Sequence, residues 1–221
     1  AGYLNPRAIV SLAKQTGCDA IHPGYGFLSE NADFAKLCEE QGIQFIGPKS
    51  SVINNMGDKT QARDSMRAAG VPITPGSDGN LKDLAEALEL AETIGYPVML
   101  KATSGGGGRG IRRCDSAAEL TTQYPRVISE ATKAFGSAEV FLEKCIVNPK
   151  HIEVQILGDS HGNVVHLYER DCSIQRRNQK LIEIAPSPQL TPEQRSYIGD
   201  LAVKAAQAVS YENAGTVEFL L

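Results

Sequence analysis

The glycine-rich stretch KATSGGGGRGIR, from Lys101 to Arg112, constrains the fold of this chain more than any other feature. Four glycines stand in a row at 105–108, and a fifth follows at Gly110. Each glycine in an ordered element costs about 0.5–1 kcal/mol relative to alanine. A folded protein therefore keeps such a run where a ligand approaches the backbone closely, or where the run is a flexible linker. The flanking segments PVMLKA and GIRRC both have the composition of strands, which favours a hairpin over the linker.

Three known phosphate-binding patterns do not fit this run. The Walker A pattern requires lysine and serine or threonine after its last glycine, whereas Arg109 and Gly110 follow here. A G-x-G-x-x-G match exists at Gly105, Gly107 and Gly110, but a strand follows it rather than the helix that a dinucleotide site requires. In a protein kinase the lysine lies on a later strand, whereas Lys101 precedes the glycines. The remaining interpretation is a glycine hairpin whose amides approach polyphosphate oxygens, with Lys101 as a point charge.

Composition excludes several classes of partner. The 221 residues carry a net charge of -4, so there is no overall basic surface and we expect no nucleic acid partner. No apolar run reaches the roughly 18 residues of a membrane span, so we expect no membrane partner. The cysteines are five in number, without a C-x-x-C pair, which indicates neither a disulfide framework nor a zinc site. This pattern favours the cytoplasm, or an organelle matrix in a eukaryote.

Helical and strand patterns alternate along the chain. Short apolar strands between helices with glycine stops predict the βαβ rhythm of a parallel sheet in the first part. The Pro- and Gly-rich segment 71–79 is expected to be a domain boundary. Helices are expected over 6–17, 31–42, 58–70, 81–95, a stretch after Asp115 that is interrupted or kinked at Pro125, and 191–210 with a capping box at Thr191 and Gln194. Strands are expected over 18–22, 43–47, 96–102, 110–114, 138–146, 151–159, 163–171 and 174–186, with 151–159 and 163–171 as a hairpin.

Five motifs, in order along essentially the whole chain, carry a resemblance to one family. They are HPGYGFLSEN (22–31), MGDK (56–59), KATSGGGGRG (101–110), ERDCSIQRRNQK (169–180) and AGTVEFL (214–220). The chain resembles biotin carboxylase, the ATP-grasp component of the biotin-dependent carboxylases of acetyl-CoA, propionyl-CoA, pyruvate and similar substrates. The resemblance implies an α/β and α+β fold: a partial Rossmann-like N-terminal domain, then an ATP-grasp lid, then the start of the ATP-grasp C-terminal domain. The corresponding expected boundaries are 1–58, a linker helix at 59–72, the lid with its glycine flap at 73–145, and 146–221.

The same resemblance implies a set of site residues. Those matching ATP contacts are Lys59, Lys101, Gly107, Gly108, Glu143, Lys144, Cys145, Ile146, His151, Asn178 and Glu218. Lys180 matches a bicarbonate contact, within a basic cluster that includes Arg176 and Arg177. Glu218 also matches a metal ligand for Mg²⁺ or Mn²⁺. Glu169, Arg170 and Asp171 are expected to form a supporting ion-pair network rather than a catalytic dyad.

The activity that the resemblance implies is ATP- and bicarbonate-dependent carboxylation of biotin on a biotin carboxyl carrier protein, through carboxyphosphate. A carboxyltransferase would be the second partner, the full-length enzyme a homodimer, and fatty acid biosynthesis one of the pathways served. We expect the family's catalytic arginine and glutamate, and its second metal carboxylate, to lie beyond Leu221, so that these 221 residues alone are inactive. Two alternatives stay open: another ATP-grasp carboxylate–amine ligase, which ERDCSIQRRNQK disfavours, and a non-catalytic nucleotide-binding module.

Overall fold

The computed structural model describes residues 2–104, 110–176 and 179–221, apart from the side chains of Lys59, Thr60 and Phe135. The helices are α1 (Pro6–Gln15), α2 (Ala32–Glu40), α3 (Ser50–Gly57), α4 (Lys59–Ala68), α5 (Leu84–Ile94), α6 (Ala117–Phe135) and α7 (Pro192–Ala208). The strands are β1 (Ala20–Ile21), β2 (Gln44–Phe45), β3 (Val98–Ala102), β4 (Ile111–Cys114), β5 (Val140–Lys144), β6 (His151–Gly158), β7 (Val164–Arg176), β8 (Gln179–Ile184) and β9 (Asn213–Leu220). The backbone divides into one unit of residues 1–71, 153–170 and 184–218 and a second of residues 72–152, 171–183 and 219–221.

In the first unit, β1 and β2 pair in parallel, with Ala20 opposite Gln44. Asn5 and Asn31 begin α1 and α2, because each side chain accepts a hydrogen bond from a backbone N–H three residues on. The helices then bury apolar faces around the strand pair, so the expected βαβ arrangement is confirmed. Its core consists of Val10, Ala13, Phe34, Ala35, Cys38, Ile43 and Phe45.

The second unit is built on an antiparallel sheet of order β4-β3-β5. Alternate residues of β3, namely Val98, Leu100 and Ala102, are buried, as period-two geometry requires of a strand with one covered face. Helices α5 and α6 begin at Asp83 and Ser116, whose side chains accept from the N–H groups three residues on. The core of this unit consists of Leu81, Ala87, Ala91, Val98, Leu100, Cys114, Leu120, Tyr124, Val127, Val140 and Leu142.

A second sheet has the order β8-β7-β6-β9, with β9 at its edge. The expected hairpin between β6 and β7 is confirmed. Its turn is closed by a backbone bond from Asp159 N to Asn163 O at 2.9 Å. The capping box at Thr191 and Gln194 is likewise present at the start of α7. Parallel and antiparallel sheets in one chain confirm the mixed α/β and α+β class.

The observed secondary structure differs from the expected one at three places. Helix α3 was not predicted, because its cap is not local: the Glu39 carboxylate of α2 accepts from both Ser50 N and Ser50 Oγ at 2.8 Å. Helix α6 runs without interruption through Pro125, which lies on the exposed side where water can hydrate the carbonyl that proline leaves without its donor. The expected strand 174–186 is instead the end of β7, as far as Arg176, and then β8 from Gln179.

Among the helices that the structure describes, none is long and apolar enough to cross a lipid bilayer.

Candidate functional site

Lys101 and Glu143 are brought together by the register of β3 and β5. In this register Lys101 lies opposite Phe141 and Met99 lies opposite Glu143, so these four side chains share the face turned away from the helix-covered core. Lys101 Nζ donates to Glu143 Oε1, and the two side chains are 25 % and 14 % exposed. Lys101 and Glu143, which are 42 residues apart in the sequence, thus form one ion pair near the start of the glycine run.

The glycine run connects two paired strands. Strand β4 runs antiparallel to β3 with Ile111 opposite Lys101, and Ala102 N donates to Gly110 O at 2.8 Å. The expected pairing of the two strands that flank the glycine run is therefore confirmed. Gly107 and Gly108 lie outside the described residues.

The side chain of Lys144 is held by the end of α5. Its ammonium donates to Gly95 O at 2.8 Å and to Tyr96 O at 3.0 Å, so it occupies carbonyls at the C-terminus of that helix. Cations are stabilised at this end of a helix by the free carbonyls and the helix dipole. The charge of Lys144 therefore anchors β5 to α5.

The backbone amides at the end of β5 and just after it differ from one another in their hydrogen bonding. Lys144 N donates to Pro75 O at 2.7 Å, and Cys145 N donates to Pro97 O at 3.0 Å. Among the described residues, no hydrogen bond is made by the N–H of Ile146. This amide is thus one donor that the segment can offer to a ligand.

His151, at the start of β6, is fixed by three side chains of β7. His151 N donates to Ser173 Oγ at 3.0 Å, and Ser173 Oγ donates to Asp171 Oδ1 at 2.5 Å. The His151 ring contacts Gln175, with Nδ1 2.7 Å from Nε2. Sequence reasoning missed Ser173 and Gln175 as parts of this site. The signal that could have found them is the polar alternation at 171, 173 and 175, which puts all three on one face of a strand.

Two further expected site residues lie on strands of the second sheet. Lys180 lies half-buried on β8, and Glu218 lies exposed on the edge strand β9. Asn178 is outside the described residues. Lys59 begins α4, and its side chain is not described.

Glu169 and Arg170 of the ERD stretch form ion pairs, as expected, while Asp171 accepts hydrogen bonds from Ser173. Glu169 is buried and accepts from Arg195 Nε at 2.8 and 3.1 Å, and from Ser187 N at 3.0 Å. Arg170 Nε donates to Glu153 at 2.5 Å. The network therefore supports the strands and leaves no carboxylate of Glu169 or Glu153 without a cation.

All five cysteines are free thiols, and Cys18 is exposed while the others are buried. Burial raises the pKa of the Cys114 thiol to about 11, and the nearby Glu119 and Asp115 raise it further in the same direction. Such a thiol stays protonated and unreactive at neutral pH.

Antiparallel strands joined by a glycine-rich segment, with a lysine before it and a carboxylate on the adjacent strand, are the arrangement that the resemblance to ATP-grasp proteins implies. Comparison with known families agrees. Residues 58–221 match the family described as the carbamoyl-phosphate synthase L chain ATP-binding domain, and residues 1–53 match the biotin carboxylase N-terminal domain. The chain belongs to the biotin carboxylase family.

Individual relatives cover the whole chain but are longer. The 2-oxoglutarate carboxylase small subunit of Hydrogenobacter thermophilus is 62 % identical over 218 residues, which are 99 % of this chain and 46 % of the relative. Biotin carboxylase 1 of Bacillus subtilis is 56 % identical, with 99 % of this chain and 48 % of the relative covered. The chain thus spans about half the length of the curated relatives it matches.

Solved structures give the same result. Biotin carboxylase from Campylobacter jejuni, in a complex described as β,γ-ATP, superposes with a TM-score of 0.93 at 52 % identity, covering 99 % of this chain and 49 % of that one. The biotin carboxylase domain dimer of the H. thermophilus enzyme superposes with a TM-score of 0.90 at 62 % identity, covering 99 % and 48 %. That dimer was crystallised with MgADP, ADP and bicarbonate.

Proposed function

We propose that the protein carries out the ATP- and bicarbonate-dependent carboxylation of biotin on a biotin carboxyl carrier protein. The observation that carries the proposal is the Lys101–Glu143 pair beside a glycine hairpin, in a chain that matches biotin carboxylases over 99 % of its length. A bicarbonate oxygen attacks the γ-phosphorus of ATP and the bond to the ADP oxygen breaks, which leaves carboxyphosphate and ADP. The carboxyl group, directly or as CO₂, then bonds to the ureido nitrogen of biotin as phosphate departs and the N–H proton is lost.

In this proposal the following residues bind the nucleotide. Lys101 and Lys59 neutralise phosphate charge, since an ammonium is a compact partner for phosphate oxygens. The amides of Gly107 and Gly108 cover the phosphates. The segment Glu143, Lys144, Cys145 and Ile146 lies beside the adenine, with the N–H of Ile146 as its donor. His151 and Asn178 supply further nucleotide contacts.

The remaining assignments concern the metal and bicarbonate. Glu218 is a hard oxygen ligand of the kind that Mg²⁺ prefers, and its exposure on the edge strand β9 leaves it accessible to a bound nucleotide. Mg²⁺ or Mn²⁺, when bound, neutralises charge on the phosphate oxygens during transfer. Lys180 holds the bicarbonate anion by its positive charge.

The proposed organisation follows the family. Residues 1–58 form the last part of a Rossmann-like domain, 59–72 a linker helix, 73–145 the lid and 146–221 the first part of the ATP-grasp C-terminal domain. The partners are the carrier protein and a carboxyltransferase, in a homodimer as in the H. thermophilus structure. A separate carboxyltransferase selects the acyl substrate, so the same chemistry serves fatty acid biosynthesis or the carboxylation of a 2-oxo acid. The location is the cytoplasm or an organelle matrix.

The test measures ADP formation by the protein expressed from its complete gene. With ATP, Mg²⁺ and free biotin, we expect ADP release that requires bicarbonate and falls in Lys101→Ala but not in Lys133→Ala, a control on the exposed side of α6. ADP release that ignores bicarbonate would contradict the proposal. Release that requires an amine in place of biotin would favour the carboxylate–amine ligase instead.

A further inference from the structure

The carboxylate of Glu130, on α6, contacts two positions where the glycine run ends and β4 begins. Its Oε2 accepts from Arg112 Nη2 at 2.7 Å, and its Oε1 accepts from Gly110 N at 3.4 Å. The other terminal nitrogen of Arg112, Nη1, donates to Ile111 O at 2.8 Å. Directly or through Arg112, one side chain of α6 thus engages three consecutive residues of the chain.

The strand register explains how Arg112 reaches this helix. Arg112 of β4 lies opposite Leu100 of β3, and opposed residues of an antiparallel pair share a face of the sheet. Leu100 is buried in the core that also contains Val127 of α6, so Arg112 lies on the helix-covered face and Lys101 on the other. Glu130 follows Val127 by three residues, which puts it on the same side of α6.

Gly110 is fixed from two sides. The residue is buried and has a φ of +69°, a conformation that favours glycine. Its carbonyl oxygen accepts from Ala102 N of β3 at 2.8 Å. Its N–H, in a buried residue, requires an acceptor, and Glu130 Oε1 supplies one. This second bond is long, so the shorter bond from Arg112 to the other carboxylate oxygen is what holds Glu130 in place for it.

The Arg112–Glu130 pair contributes little to folding stability, because its side chains are 39 % and 35 % exposed. Its consequence is local: Gly110 is already ordered before any ligand arrives, and groups ordered in advance lower the entropy cost of binding. We propose that Glu130 is a positioning residue that anchors the end of the glycine run at Gly110, so that a polyphosphate meets β3 and β4 in a fixed geometry. The anchor itself stands on contacts within this chain, whereas its use toward a polyphosphate rests on the proposed function.

The first test is hydrogen–deuterium exchange of the nucleotide-free protein expressed from its complete gene, read by mass spectrometry in peptides that extend across residues 110–114. Loss of the acceptor in Glu130→Ala should speed exchange there about 3- to 10-fold, the range of one hydrogen bond. Glu130→Gln keeps the shape but replaces one acceptor by an NH₂ donor, so exchange should change in the same direction. Glu89→Ala, which removes an exposed carboxylate from α5, should leave it unchanged. Unchanged exchange in both Glu130 variants would overturn the anchor.

The second test compares two probes by calorimetry, MgADP and adenosine, which has no phosphate. Relative to Glu89→Ala, both Glu130 variants should bind MgADP about 3- to 10-fold more weakly and adenosine equally well. Equal losses for the two probes would indicate a general loosening of the fold and overturn the positioning role, as would no loss for either. If the unsubstituted protein binds no MgADP, the proposed function fails and the role toward a polyphosphate fails with it, while the exchange result still decides the anchor at Gly110.

Discussion

Replacement of Lys101 by alanine tests the candidate site most directly, because the structure separates its effect on folding from its effect on binding. The ion pair with Glu143 is partly shielded, at 25 % and 14 % exposure. Removing one partner of a fully buried pair costs about 3–5 kcal/mol, whereas exposed pairs contribute about 0–1 kcal/mol. We therefore expect Lys101→Ala to lower the free energy of unfolding by about 1–2 kcal/mol, with the fold intact.

In free energy, the loss of nucleotide affinity in Lys101→Ala should be larger than the loss of folding stability. A hydrogen bond to a charged group contributes about 1.5–3 kcal/mol, and about 1.4 kcal/mol corresponds to a tenfold change in Kd. The ammonium has three donors, so contact with Glu143 does not prevent contact with phosphate. We therefore expect Lys101→Ala to weaken MgADP binding about 10- to 100-fold.

A double variant distinguishes the two effects. Lys101→Ala combined with Glu143→Gln removes the carboxylate charge that the single variant leaves behind, so stability should return while MgADP affinity stays low. The assays are urea unfolding and isothermal calorimetry at one fixed salt concentration, with Lys133→Ala as the control for charge. An MgADP affinity within twofold of the control would refute the reasoning and remove Lys101 from the site.

Three further predictions concern the scaffold. Gly76→Ala should lower the free energy of unfolding by about 1–3 kcal/mol, because a Cβ there would collide with the Leu142 carbonyl oxygen. A free energy of unfolding, measured in urea, that stays within about 0.5 kcal/mol of the parent's would contradict this. Arg195→Met should cost about 3–5 kcal/mol by leaving the buried carboxylate of Glu169 without its cation, and an unfolding midpoint that does not move would be inconsistent with it. Titration of the native thiols with Ellman's reagent at pH 8 should show that Cys18 reacts rapidly while the other four cysteines react only after denaturation; fast modification of any buried thiol would count against the described core.

Much of the site was predictable because its signals are local. The glycine hairpin follows from strand-like segments on both sides of residues 105–110, and the capping box of α7 follows from a three-residue spacing. The family motifs likewise lie in short contiguous stretches. Lys101 was predicted at the start of the hairpin, and the structure adds that Glu143 is its partner. The assignment of these residues to a bound nucleotide stays a prediction.

Other features were decided only when distant segments met in the tertiary structure. The cap of α3 comes from Glu39 of another helix, eleven residues before Ser50. The ammonium of Lys144 reaches the end of α5, and the Gln175 amide meets a histidine 24 residues away. Sequence patterns report spacings within one turn or one strand, whereas these contacts depend on which chain segments the packed sheets and helices place within about 3 Å of each other. The sequence by itself therefore determined the hairpin, the capped helices and the family, and the tertiary structure alone decided which polar groups became partners.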